Sequence, residues 1–399
     1  MIAPPDPAFL DAHVTRGLED ESGRHCAKLV LGDHVPKPGD VVMQSNDYLA
    51  LANDRRIAEA KAKALLHYGH GDAISRVFAH HRDDPHRRFE QRIAKLTQGE
   101  DAALVMSGYN ANVGLIEAFA APGSPVYLDI RAHASLWSGV SCGRAAAVPF
   151  RHNNADDLKR KIAQSGPGLV VIDSLYSTNG KIAPLADIIS VAEDGGCVIV
   201  VDETHSFGTH GPDGAGLVVA EGLAEKVHFR TVGLSKAMAA RGGVVIGSAR
   251  NIEFYRYEAL SMIFSTSVLG YEIAGFDKTL DIIAEEPERT KRLHSNHAYL
   301  RDGLAAEGFE VGESDSQIIA LVTGANSATK AFRDALAKRG VFGSVFLPPA
   351  TPKNKSLIRF TVNAGLYRED LDRTIAACAE ARDELGLKPG ASPCLAEAA

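Results

Sequence analysis

The 399-residue sequence lacks the features that would place it in several broad classes. No apolar stretch approaches the roughly 20 residues that a membrane helix needs. The first twenty residues carry three prolines and several acids but no apolar core, so a secretory signal is not expected. Cysteine is sparse. Cys26, Cys142, Cys197, Cys378 and Cys394 are odd in number and show no CxxC spacing, which fits reduced thiols in a cytoplasm. Excess positive charge is missing too. A net charge of -7 argues against nucleic acid or an anionic membrane as the main partner. No internal repeat or low-complexity block interrupts the chain. Gly69-His-Gly71 and the glycines from Gly208 to Gly216 match neither a dinucleotide fingerprint nor a P-loop. Neither Asp202 with His205 nor His80, His81 and His86 form a closed ligand set, so no metal is expected.

What is present reads as a globular α/β chain. Hydrophobic residues make up 45% and charged residues 23%, and the length suits one large domain plus a smaller one. Short β-branched runs alternate with helical patterns, the signature of a mostly parallel sheet covered by helices. Val126-Tyr-Leu128 ends at Asp129, Gly168 to Ile172 ends at Asp173, and Cys197 to Val201 ends at Asp202. Val227 to Val232 leads to Lys236, and Gly243 to Gly247 follows. Polar residues thus gather beyond the carboxyl ends of strands, where open α/β sheets place ligands. From about Glu285 the pattern changes to long helices with a few strands: 317–322, a helix 329–338 closed by Gly340, strand 357–362 and a last helix 369–385. The expected organisation is an N-terminal segment over 1–50, a large domain over 51–284 and a small C-terminal α/β domain over 285–387. The tail 388–399, with Pro389, Gly390 and Pro393, is expected to be mobile.

Four features carry chemistry. Lys236 follows an apolar strand among small residues, where desolvation would make its amine nucleophilic towards a carbonyl; a surface lysine is the plain alternative. Asp202 ends five apolar residues and opens Asp202-Glu-Thr-His205-Ser. A carboxylate there can hold a pyridine nitrogen protonated and make the ring an electron sink. At about 4 Å and an effective dielectric of about 20 the pair is worth roughly 4 kcal/mol, or about three decades of rate if fully expressed. An aspartate that merely caps the following loop is the alternative. Ser107-Gly108-Tyr109-Asn110-Ala-Asn112 opens a helical pattern whose first N–H groups suit an anion. Arg359, mid-strand, can grip a carboxylate with both arms, although strand arginines are usually solvated edge residues.

Together these residues resemble the α-oxoamine synthase family of fold-type I pyridoxal-phosphate enzymes, with the aspartate-aminotransferase-like fold. The likeness runs from about Ser45 to Arg359, and its most specific marks are Asp202-Glu-Thr-His205-Ser and Ser235-Lys236. The resemblance implies that Lys236 carries pyridoxal 5'-phosphate, that Asp202 pairs with the ring nitrogen and that His133 stacks on the ring. It implies that His205 and Ser177 reach the phenolic oxygen, and that Ser107, Gly108, Tyr109, Asn110 and Ser235 bind the cofactor. Thr266 resembles the position that reaches a neighbouring subunit's phosphate, which implies a homodimer. Asn46 and Arg359 look like substrate contacts. Within the family, Gln44 to Asn53, Ser135-Leu-Trp137, His152-Asn-Asn154, Gly208 to Pro212, Ser316 to Ile319, Gly340 to Phe346 and Pro349 to Lys355 resemble the branch that makes α-hydroxyketone signal precursors. Two departures stand out. Gly233 sits where many relatives carry a phosphate-binding hydroxyl, so Ser235, Thr231 or the partner's Thr266 is expected to compensate. Asn363-Ala-Gly365 lacks a histidine of the biotin-pathway relatives.

The reaction implied is a decarboxylating condensation of an acyl-CoA with a small amino acid, or with S-adenosylmethionine, giving an aminoketone in quorum-sensing autoinducer synthesis. Phe78, Phe264, Phe342 and Phe346 are candidates for the acyl site, with plain core packing as the alternative. Another α-oxoamine synthase, of the 8-amino-7-oxononanoate synthase or 2-amino-3-ketobutyrate CoA ligase type, remains open, as does an aminotransferase or a lyase. A cytoplasmic enzyme without a membrane or nucleic-acid partner is expected.

Overall fold

The computed structural model describes residues 7–19, 32–78, 84–311, 314–348 and 350–387. The expected tail, His80, His81, Cys26, Cys394 and Pro349 lie outside them. Among the described residues no helix is long and apolar enough to cross a membrane.

The chain divides into two units. Among the described residues, the larger comprises those of 46–294 with 363–365, and the smaller those of 1–45, 295–362 and 366–399. The division falls at 46 and inside helix Pro287–Ala306, against the 51 and 285 expected from the sequence.

The larger unit is built on seven strands: β2 (Asp101–Val105), β3 (Pro125–Asp129), β4 (Ala146–Phe150), β5 (Leu169–Asp173), β6 (Val198–Asp202), β7 (Phe229–Gly233) and β8 (Gly243–Gly247). Their order is β2-β8-β7-β6-β5-β3-β4, and only β8 runs against its neighbours. The sheet is therefore mostly parallel, as the continuous apolar runs imply: β5 and β7 are buried along their whole length. One core cluster packs helices Gly108–Phe119 and Ala134–Cys142 on the sheet through Leu115, Ile116, Leu136, Val171 and Val200. Because β3, β5 and β6 run in parallel, Asp129, Asp173 and Asp202 come to the same end.

The smaller unit holds β1 (Val41–Met43), β9 (Ile318–Gly324), β10 (Val341–Phe346) and β11 (Ser356–Thr361) in the order β1-β10-β11-β9. Helix Asn326–Lys338 ends before Gly340, whose φ of 70° supplies the left-handed stop. Cys378, on helix Arg368–Glu384, is core.

Candidate active site

Two neighbouring strands and one helix bring the expected residues together in the larger unit. Strand β6 pairs in parallel with β7, placing Asp202 opposite Thr231, so the chain reaches Lys236 just beyond the adjoining strand end. Lys236 is half-buried in a turn. Helix Gly108–Phe119 starts against the same strand end, since a Cβ on Gly108 would lie 2.7 Å from the Gly233 Cα. Only glycine permits that approach. Ser107 caps the helix by accepting from the Asn110 N–H (3.1 Å).

Asp202 is buried, and its partners are neutral. Oδ2 accepts from the Asn112 amide (2.7 Å) and Oδ1 from the Thr204 N–H (2.8 Å). Among the described residues no cationic side chain forms an ion pair with it. A buried carboxylate so placed fits a pyridinium ring, and the Gly108–Gly233 approach fits a phosphate at the helix start.

A chain of hydrogen bonds joins Asp202 to His133. Asn112 gives its second amide proton to Ser135 Oγ (2.8 Å) and accepts from Thr231 Oγ1 (2.6 Å). Ser135 then faces His133 Nδ1 with its hydroxyl (2.7 Å) and its N–H (3.3 Å). Nδ1 accepts both, so the neutral ring carries its proton on Nε2. His133 itself is exposed, and its own N–H donates to Asp173 Oδ2 (3.1 Å). Asp173 lies beside Asp202 in register. Burial, and then the charge of Asp202, push its carboxyl well above the usual range. His205 is buried, with Nδ1 held 2.5 Å from the Tyr48 hydroxyl.

The remaining expected residues fall as follows. Ser177 is half-buried in the turn after Tyr176, Ser235 is exposed beside Lys236, and Asn46 is half-buried ahead of Tyr48. Tyr109 is exposed and donates to Ser138 Oγ (2.7 Å). Thr266 is exposed, bridges Ser75 and lines a small pocket with Arg76, His86 and Ser267. Arg359 belongs to the smaller unit. It is not at a solvated edge: β11 is an interior strand, Arg359 is buried, and its guanidinium lies 4.8 Å above the Phe346 ring. Phe342 is core there, whereas Phe78 and Phe264 stand exposed on the larger unit. Thr231 is excluded as the compensating hydroxyl, because its proton goes to Asn112. Asn112, Ser135, Thr204, Tyr48 and Asp173 were assigned no role from sequence. They sit inside the quoted motifs or at a strand end, but only folding reveals their partners.

A mostly parallel sheet with this lysine, carboxylate and helix start at one end defines the pyridoxal-phosphate enzymes of fold type I. The chain belongs to the aminotransferase class I and II family, whose match covers residues 38–377, and is a pyridoxal-phosphate-dependent acyltransferase of the α-oxoamine synthase type. It is 41% identical over 379 residues to the CAI-1 autoinducer synthase of Vibrio campbellii, covering 94% of this chain and 96% of that protein. It is 35% identical to the 8-amino-7-oxononanoate synthase of Lysinibacillus sphaericus, covering 87% and 90%. Among solved structures, a serine palmitoyltransferase variant from S. paucimobilis with a bound PLP–myriocin aldimine superposes with a TM-score of 0.85 at 28% identity, covering 95% and 98%.

Proposed function

We propose that the chain is an autoinducer synthase that condenses a medium- or long-chain acyl-CoA with a small α-amino acid, or S-adenosylmethionine, in the cytoplasm as a homodimer. The observation that carries this reading is the convergence of Asp202, Lys236 and the Gly108 helix start at adjoining strand ends. Pyridoxal phosphate, when bound, withdraws electrons from the amino acid's Cα. Lys236 would hold the cofactor's aldehyde carbon until the substrate's amine takes its place there, and the freed Lys236 amine would then accept the Cα proton. Asp202 keeps the ring nitrogen protonated, and Asn112 and the Thr204 N–H orient that carboxylate. His133 covers the ring and offers its Nε2–H to the thioester oxygen. His205, steadied by Tyr48, and Ser177 reach the phenolic oxygen. Ser107, Gly108, Tyr109, Asn110 and Ser235 surround the phosphate, with Thr266 reaching that of the partner subunit. Asn46 and Arg359 contact the substrate, Arg359 through the carboxylate. The new carbon–carbon bond expels coenzyme A, and loss of CO₂ leaves an aminoketone.

Purified protein supplied with the cofactor should show an imine band near the visible edge, fixed by borohydride in the wild type and absent in Lys236→Ala. Acyl-CoAs offered with glycine, alanine, serine, 2-aminobutyrate and S-adenosylmethionine should release thiol, with the product identified by mass. A wild type without the imine band ends the reading. Turnover of an amino acid without thiol release would assign it to an aminotransferase or a lyase.

A further inference from the structure

Strand β7 ends at Gly233 with no side chain, and the space beside it is taken by Thr204. A Cβ built on Gly233 would lie 3.0 Å from Thr204 Cγ2 and 3.2 Å from its Oγ1. The same oxygen stands 3.7 Å from where a Gly108 Cβ would be, so it faces the first residue of helix Gly108–Phe119. The Thr204 backbone is tied down by its N–H to Asp202 Oδ1 (2.8 Å), and Oγ1 accepts from the Gly233 N–H (2.8 Å). A hydroxyl has one proton to give, and accepting from Gly233 leaves that proton uncommitted. The neighbouring hydroxyls differ. Thr231 gives its proton to Asn112 (2.6 Å), and Ser107 gives its proton to Asn110 Oδ1 (3.0 Å). Among the described residues, no acceptor meets the Thr204 proton.

We propose that Thr204 supplies a further side-chain hydroxyl that donates to the cofactor's phosphate, and that Thr204 and Gly233 act as a pair in which the first fills the volume the second leaves open. This rests on the reading that seats the phosphate at the Gly108 helix start. Apo protein titrated with pyridoxal phosphate gives a dissociation constant from the imine band, and the ³¹P resonance of the bound phosphate reports its hydrogen bonds directly. Thr204→Val keeps the shape and removes the donor. It should weaken binding about tenfold or more, the size expected of a hydrogen bond to a charged group, and move the ³¹P resonance. Thr204→Ser keeps the hydroxyl and should bind like the wild type. Gly233→Thr alone should weaken binding by collision with Thr204, while Thr204→Ala with Gly233→Thr should recover it, since the hydroxyl then returns from β7. A Thr204→Val protein with wild-type affinity and an unmoved resonance overturns the proposal. So does a Thr204→Ser protein as weak as Thr204→Val, or a double variant no better than Gly233→Thr. If the wild type forms no imine band, the cofactor reading fails instead, and the two failures are distinguishable.

Discussion

Asp173 shows how one residue's protonation is built into the site. It lies opposite Asp202 in register and accepts the His133 N–H, and two buried carboxylates side by side cannot both be charged cheaply. Burial and the Asp202 charge raise the Asp173 carboxyl well above its ordinary value of 3.8. Below that value both folded and unfolded chains hold the proton. Between it and the raised value only the folded chain does, so stability is lost as pH rises through that window. Asp173→Asn keeps an acceptor for His133 but has no proton to lose. Its urea-unfolding midpoint should fall less steeply than the wild type's as the pH rises above the ordinary carboxylate range. Identical slopes would mean that Asp173 does not carry the proton assigned to it. Residues such as Lys236 and Asp202 were legible in the sequence because each follows an apolar run. Asn112 and Tyr48 were not, because their partners lie 90 and 157 positions away and no local pattern records a pairing of that reach.

Helix Gly108–Phe119 carries the proposed cofactor cradle, and its start has two separable supports. The Ser107 cap satisfies the Asn110 N–H, and a lost cap of this kind costs about 1 kcal/mol. The close approach to β7 is a different matter, since a Cβ on Gly108 would meet backbone rather than a movable side chain. Ser107→Ala should therefore lower stability by about 1 kcal/mol in urea unfolding with a modest loss of cofactor affinity. Gly108→Ala should push the helix start off Gly233 and cost far more affinity than stability. Equal effects of the two on cofactor titration would separate the cradle from this contact. The helix start was readable, as were β3, β5 and β6, from apolar runs that stop at polar residues. The reversed direction of β8 and the pairing of β1 with β10 were not. Val41 pairs with Val341, and a three-residue strand gains its identity only from a partner that remote.

At the scale of the whole molecule, the proposed homodimer needs an apolar face, and the larger unit exposes four large apolar side chains. Phe78, Tyr257, Leu260 and Phe264 are 68%, 62%, 51% and 81% exposed. The Ser75 hydroxyl donates to the Ile263 carbonyl (2.6 Å) and Ser75 bridges Thr266, so the segments carrying Phe78, Leu260 and Phe264 are joined into one surface. Exposed large apolar side chains on adjoining segments are where the proposed homodimer would bury surface. In the proposed homodimer Thr266, exposed on the same segment, would act in the partner subunit's site. The wild type should sediment at twice the 42.5 kDa of the chain. Leu260→Asp with Phe264→Arg should sediment as a single chain and lose cofactor affinity, while Thr266→Ala should stay dimeric and lose affinity alone. A wild type that sediments as one chain yet forms a full imine band would remove Thr266 from the phosphate site and the homodimer from the mechanism.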